Sequence, residues 1–226
     1  MMTHEWNLPA LIDHTILRPD ATKQDVLRLC GEAKQFGFLV VFVPPCYVDE
    51  AVTAVAGSGI RVGIPIGFPL GGHTTQSKVA EAIEAVARGA GILDMVINVS
   101  RLKSGDHDYV RQDIAEVVRA TPTVEHKVIL ETCYLTGQEK RTACQLVIEA
   151  GAEYVKTSTG FAAGGATVED VRLMKQAVAG KAKVKASGGI RDWKTTLAML
   201  EAGADRIGTS TSLKILEEWA AIRRKG

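Results

Sequence analysis

Four residues stand out by chemical type and by place: Asp13 in LeuIleAspHisThr, Asp94 in IleLeuAspMetValIle, Lys156 in TyrValLysThrSer and Lys185 in LysValLysAlaSerGlyGly. Each sits in a short aliphatic run of the kind that forms a strand covered on both faces. Such strands are expected to be almost wholly apolar. A charge buried there without a partner costs several kcal/mol, so these residues must pair or titrate. Lysines on neighbouring strands are the sharpest signal, because adjacent strands lie ~4.8 Å apart. Two ammonium groups ~5 Å apart at an effective dielectric of ~20 repel by ~3 kcal/mol. That repulsion predicts a fall of roughly two units from the usual lysine pKa of ~10.4, and desolvation pushes the same way. An amine that is partly neutral near pH 7 attacks carbonyls to form a Schiff base. Asp94 is placed to hold the second lysine and to move protons through a water. Spacing leaves open which lysine is the nucleophile. It also leaves open a second reading, in which the lysines and the aspartate form an ion-pair network that only fills the protein interior.

A second signal is a set of glycine-rich turns: SerThrGlyPheAlaAlaGlyGlyAla at 158–166, SerGlyGlyIle at 187–190 and GlyThrSerThrSer at 208–212. Glycine lets backbone N–H groups approach an anion, and turns that open a helix are natural phosphate sites. Ser187, Ser210 and Thr211 add hydroxyl donors, and Thr159, Gly160, Gly188, Gly189 and Gly208 supply the turn backbones. Cys46, in ProProCys at 44–46, is expected to face the same pocket mouth, as a packed or a reactive thiol. His73, in the turn GlyPheProLeuGlyGlyHisThrThr at 67–75, reads as a loop or cap residue, and Glu131 as a group that orients the pocket. Lys183 opens its strand and reads as solvated.

The elements that must position these residues alternate strand and helix, which is the signature of βαβ units. Strands are expected at 11–13, 39–43, 61–66, 93–98, 127–131, 154–158, 183–187 and 206–209. Helices are expected at 23–36, 47–56, 77–88, 108–119, 139–149, 168–178, 193–201 and 213–223, with Thr167 and Asp192 as N-caps. ArgGlyAla at 88–90 and AlaGlyAla at 150–152 and 202–204 each close a helix and open a strand. Glycine there fits a left-handed helix end. Five residues beyond each glycine come Asp94, Lys156 and Gly208. Eight uninterrupted units predict an α/β fold of one domain over residues 1–226, a closed (β/α)₈ TIM barrel whose site lies at the C-terminal ends of its strands.

Composition narrows the partners. With 46% hydrophobic and 23% charged residues and a net charge of +1, the chain gives no reason to expect nucleic acid or a membrane surface as partner. The basic triplet Arg223-Arg224-Lys225 reads as a solvated helix end, and the N-terminal MetMetThrHisGluTrp lacks the pattern of a signal peptide. No apolar run reaches the ~20 residues of a membrane span. The four cysteines show no metal-ligand spacing, so no metal or other cofactor is expected, and reduced thiols in a cytoplasmic protein are the expectation.

With these residues assembled, the chain resembles the deoxyribose-phosphate aldolases from LeuIleAspHisThrIleLeu at 11–17 to GlyThrSer at 208–210. The most specific segments are ValLysThrSerThrGlyPhe at 155–161 and ValLysAlaSerGlyGlyIleArg at 184–191, supported by AspMetValIleAsn at 94–98 and GlyPheProLeuGly at 67–71. The resemblance implies cleavage of 2-deoxy-D-ribose 5-phosphate to D-glyceraldehyde 3-phosphate and acetaldehyde, without metal. It implies Lys156 as the Schiff-base lysine, Lys185 as the second lysine, and Asp94 as the acidic partner of a proton relay. It also implies Asp13 near the substrate hydroxyls and a phosphate resting on Gly160, Gly188, Gly189 and Ser210. Members often carry a terminal tyrosine that reaches the site, whereas no tyrosine follows Tyr154 here, so the relay and water are expected to protonate the enamine. A homo-oligomer, dimer or tetramer, is expected. A transaldolase-like enzyme with a ketone donor, or a phosphate-binding barrel with purely structural lysines, would share parts of this pattern.

Overall fold

A strand whose helix packs back across it meets the next strand in parallel, and this chain repeats that step until the sheet closes. The computed structural model describes residues 6–224. The strands are β1 (Ile12–Thr15), β2 (Val40–Phe42), β3 (Arg61–Ile66), β4 (Ile92–Val96), β5 (Glu125–Ile129), β6 (Tyr154–Lys156), β7 (Lys183–Ser187) and β8 (Arg206–Thr209). They pair in sequence order, all parallel, and β8 closes on β1. The helices are α1 (Leu8–Leu11), α2 (Lys23–Phe36), α3 (Val48–Val55), α4 (Thr75–Ala87), α5 (Val99–Lys103), α6 (His107–Ala120), α7 (Gly137–Glu149), α8 (Val168–Val178), α9 (Trp193–Glu201) and α10 (Ser212–Arg223). The expected (β/α)₈ barrel is therefore the fold. Residues 1–5 and Lys225, on which the N-terminal reading and part of the basic triplet rest, lie outside the described residues.

Where boundaries differ from expectation, the cause is local. The short helices α1 and α5, of 4 and 5 residues, carry too few turns to show a helical period. Asn98 caps α5 by accepting from Arg101 N at 3.1 Å, which stops β4 before the expected strand end at residue 98. The expected strand at 127–131 instead starts at Glu125 and gives way to a 3₁₀ turn over Thr132–Tyr134. The caps behave as their residue types dictate: Thr167 accepts from Asp170 N at 3.0 Å and Asp192 from Thr195 N at 2.7 Å. The repeated glycines close their helices with φ of 101° at Gly89, 88° at Gly151 and 108° at Gly203, a region that side chains disfavour.

Alternation along each strand separates two cores. Outward residues such as Val41, Ile64, Leu93, Val128, Val155, Val184 and Ile207 are buried beneath the helices in one continuous apolar layer. At roughly 1.5–3 kcal/mol per buried aliphatic side chain, that layer supplies the stability. The apolar cluster inside the barrel is small, formed by Val40, Phe42 and Ile92. Much of the remaining interior is charged, so the expectation of almost wholly apolar strands holds best for their outward faces.

One buried ion pair ties this shell to the site. Lys78 on α4 donates to Asp113 Oδ2 on α6 at 2.6 Å and to the Val96 carbonyl at 3.0 Å, both side chains being fully buried. It thereby fixes the end of the strand that carries Asp94. Removing one partner strands the other charge in the interior, at a cost of about 3–5 kcal/mol. Lys78→Met is thus expected to lose about that much stability in urea unfolding, and Lys78→Met/Asp113→Leu to recover most of it. A single variant as stable as the parent would show the pair to be dispensable.

Candidate active site

Lys156 ends β6 and pairs in register with Lys185 of β7, so strand geometry alone aims both side chains into the barrel at one height. They do not meet directly. Asp94, completely buried on β4, stands between them, and its Oδ2 accepts from Lys156 Nζ and from Lys185 Nζ at 2.7 Å each. Its other oxygen is buried without a hydrogen-bond partner. Lys185 Nζ also lies 2.6 Å from Asp13 Oδ2, and Arg206 Nε donates to Asp13 Oδ1 at 2.6 Å. The Phe42 ring underlies the group, its centroid 3.9 Å from Lys185 Nζ. Two small residues make room for this packing. A Cβ on Gly63 would lie 2.4 Å from Phe42 Cζ, and one on Gly208 would lie 2.9 Å from Lys185 Cε.

The two amines are driven apart. Burial lowers the Lys156 pKa to about 8; Asp94 opposes that fall and the Lys185 charge adds to it. The size matches the sequence-based expectation, but desolvation leads, ahead of repulsion between lysines. Burial also disfavours the Lys185 ammonium, yet Asp13 and Asp94 together outweigh it and hold that pKa above the ordinary value. Burial works against the Asp94 carboxylate too, and Lys156 and Lys185 override it, leaving the carboxylate ionised. One neutral-leaning amine and one fixed ammonium therefore share a single carboxylate.

Above them opens a cavity of about 660 Å³ that Lys156 lines together with Thr159, Gly160, Gly188, Gly189, Gly208 and Ser210. Gly188 and Gly189 have φ of 89° and 78°, and the 158–166 turn packs on them, with Ala166 N donating to the Gly188 carbonyl at 3.0 Å. The start of α10 adjoins the same wall, where Thr211 caps it without a side-chain bond. A helix N-terminus there favours an anion. Arg18, Arg28, Arg191 and Lys214 stand on the rim, where Arg18 and Arg28 are paired with Asp25.

Several expected residues take other places. Asp13 lies beneath the cavity rather than on its wall, completely buried between Lys185 and Arg206, because its strand begins at the barrel floor. Cys46 is exposed on the 3₁₀ turn Pro45–Tyr47 and does not line the cavity. His73 is exposed in its loop. The Ser187 hydroxyl is spent on the Ser158 carbonyl at 2.6 Å. Glu131 is buried with φ of 54° and accepts from the Thr159 N–H at 3.2 Å and from its hydroxyl, so it fixes the turn beside Lys156. Lys183 is exposed, as its strand-start position suggested.

Sequence reading missed Lys127 and Arg206. Both are charged residues near strand starts, where a solvated side chain is the usual outcome, yet both turn into the barrel. Lys127 is fully buried, pairs with Glu125 and lies 4.8 Å from the Tyr154 ring centroid. Alternation was the available signal: Lys127 sits two residues before Ile129, the residue in register with Lys156.

A buried lysine with lowered proton affinity, opening on a cavity with an anion cradle, is the equipment of imine chemistry. The model of the DeoC/LacD family of aldolases matches residues 8–218. The chain belongs to the DeoC/LacD aldolase family. It is 54% identical over 220 residues to a deoxyribose-phosphate aldolase from Thermoanaerobacter sp. (strain X514), covering 96% of this chain and 99% of that one. A solved structure described as QR15, an aldolase, superposes with a TM-score of 0.92 at 43% identity, covering 97% of this chain and 98% of that one. Another, described as a unique tetrameric structure of deoxyribose phosphate aldolase from Aeropyrum pernix, superposes with a TM-score of 0.89 at 32% identity, covering 95% and 92%.

Because Asp94 favours the Lys156 ammonium, its loss moves the proton off at lower pH. Amine acylation of Lys156 followed against pH is expected to show a midpoint near 8, and a lower one in Asp94→Asn. A midpoint that rises in the variant would contradict the assigned electrostatics.

Proposed function

We propose that this protein cleaves 2-deoxy-D-ribose 5-phosphate reversibly to D-glyceraldehyde 3-phosphate and acetaldehyde through an imine on Lys156. The observation that carries the reading is the shared carboxylate: Asp94 binds two lysines at 2.7 Å, and of the two only Lys156 both lines the cavity and has a lowered pKa.

The neutral Lys156 amine attacks C1 of the open-chain sugar. The carbinolamine loses water with a proton delivered through Asp94, leaving an iminium. The C3 hydroxyl gives up its proton through water to the Asp94–Lys185 pair, the C2–C3 bond breaks, and its electron pair moves into the iminium to form an enamine. Glyceraldehyde 3-phosphate departs. A proton from the Lys185–Asp94 pair, passed by water, adds to C2, and hydrolysis frees acetaldehyde and the amine. Lys185 holds that proton because Asp13 and Asp94 bind its ammonium. The unpartnered oxygen of Asp94 leaves it able to take one up. Gly160, Gly188, Gly189 and Ser210 receive the phosphate, with Thr159 and Gly208 shaping the space between. Asp13 acts as the counter-ion of Lys185 rather than as a contact to the substrate hydroxyls, and Cys46 has no part in the step.

Among the described residues no helix is long and apolar enough to cross a membrane, and we place the protein in the cytoplasm. A homo-oligomer is the proposed assembly, supported by the relative described as tetrameric.

Incubation with acetaldehyde and borohydride, then peptide mapping, is expected to add a two-carbon mass to Lys156 and none in Lys156→Leu. Labelling of Lys185 instead would exchange the lysine roles, and no adduct on either would overturn the imine reading. The acid limb of kcat/KM is expected near pH 8, activity rising as the Lys156 amine becomes neutral. Asp94→Asn is expected to lose about 10²–10⁴-fold in kcat, the usual worth of a positioned acid–base group; a change below threefold would remove Asp94 from the relay.

A further inference from the structure

Arg206 is the first residue of β8, at the end of the barrel opposite the cavity, yet its side chain is only 11% exposed because the guanidinium runs inward. Its Nε and Nη2 each lie 2.6 Å from Asp13 Oδ1. The other oxygen of Asp13 lies 2.6 Å from Lys185 Nζ, which donates to Asp94 Oδ2 at 2.7 Å, which accepts from Lys156 at 2.7 Å. Arg206, Asp13, Lys185, Asp94 and Lys156 thus form a ladder of alternating charge from the barrel floor to the cavity. The reaction above makes no use of its lowest rung. Arg206 does not line the cavity, and three side chains, Asp13, Lys185 and Asp94, separate it from the reacting amine.

A guanidinium stays protonated at every working pH and holds a carboxylate through a planar, directional fork. We propose that Arg206 is a positioning residue that sets how much neutral amine Lys156 presents, acting through Asp13 and Lys185. The inference rests on Lys156 being the Schiff-base lysine. Its sign follows from the charges. With the guanidinium in place, the Asp13 charge is balanced from below. Without it, that negative charge acts undiminished on Lys185 and Lys156 and favours their ammonium forms. Loss of the positive charge of Arg206 itself works in the same direction.

Four further titratable groups face the ladder, and among them the pKa of Lys127, like that of Lys156, is lowered by burial. Glu125 and Lys127 face Arg206 and Asp13 from β5, and Tyr154 faces Arg206 from β6. Glu131, beyond β5, faces Lys156. The Glu125 carboxylate is held low by Lys127 and Arg61 against its burial, and the Tyr154 hydroxyl is pushed up to about 12 by burial. Both therefore keep one charge state across the range in which Lys156 titrates.

The test uses Arg206→Gln, which retains an amide donor for Asp13 without the charge, and Arg206→Lys, which retains the charge. Trapping of the acetaldehyde imine and kcat/KM are followed from about pH 6 to about pH 10, the span over which a lysine of lowered pKa changes charge. The acid limb of Arg206→Gln is expected to move up by about one pH unit, with about tenfold less imine at neutral pH and recovery at high pH. Arg206→Lys is expected to keep the parental limb. A merely structural arginine would lower activity alike at every pH, and an unmoved limb in Arg206→Gln overturns the inference. If that variant does not fold, Asp13→Asn reads the next rung: its limb is expected to move down, and an unmoved or raised limb overturns the inference equally. Failure of the parent itself to trap an imine on Lys156 would instead overturn the reading of the reaction.

Discussion

Asp94 lies on the barrel axis with no exposure to solvent, and one of its oxygens is asked to satisfy two lysines at once. Two ammonium groups on one carboxylate leave a surplus positive charge in a medium that solvates it poorly. Repulsion between them is worth ~3 kcal/mol at an effective dielectric of ~20. The conflict is resolved by asymmetry. Lys185 has a second carboxylate in Asp13 and keeps its proton. Lys156 has no second carboxylate in contact, so burial outweighs the pull of Asp94 and the amine lets its proton go near pH 8. The chemical difference between the two lysines is therefore set by the placement of one aspartate.

That arrangement explains the unusual interior. A barrel of this kind is commonly filled by layers of branched aliphatic side chains. Here the interior carries Lys127, Lys156, Lys185 and Arg206 against Asp13, Asp94 and Glu125, with Val40, Phe42, Ile92 and Ile129 among its apolar residues. Buried ion pairs contribute little net stability once desolvation is counted. Stability is thus supplied outside the barrel, where outward strand residues meet the helices. The two tasks are divided by the alternation of the strand: one face holds the fold together and the other holds charge.

The substrate end follows a different principle. Strands give Lys156 and Lys185 a fixed height and direction, whereas the wall proposed to receive the phosphate is built from glycine turns. Gly188 and Gly189 adopt positive φ, and the preceding turn packs against them. Glu131, itself in a left-handed conformation, fixes Thr159 beside Lys156. Backbone strain at a non-glycine residue is tolerated at such a place because the surrounding hydrogen bonds determine it.

The fold was legible in the chain because a parallel barrel is a local code. Each βα unit announces itself by alternation, helical period and a glycine at the helix end, and Gly89, Gly151 and Gly203 all adopt the conformation their positions implied. Lys156, Lys185 and Asp94 were legible too, since an ionisable residue in an aliphatic run has no cheap alternative to function or pairing. Other features depended on what stands across the barrel, which local sequence does not encode. Lys127 and Arg206 resembled solvated strand starts until closure turned them inward, and Asp13 proved to be a counter-ion beneath the cavity instead of part of its wall. Cys46 followed a strand, as pocket residues do, but its turn left it outside. The sequence by itself determined which residues would be costly to bury. Only closure of the barrel decided which charge faces which, and so which lysine surrenders its proton.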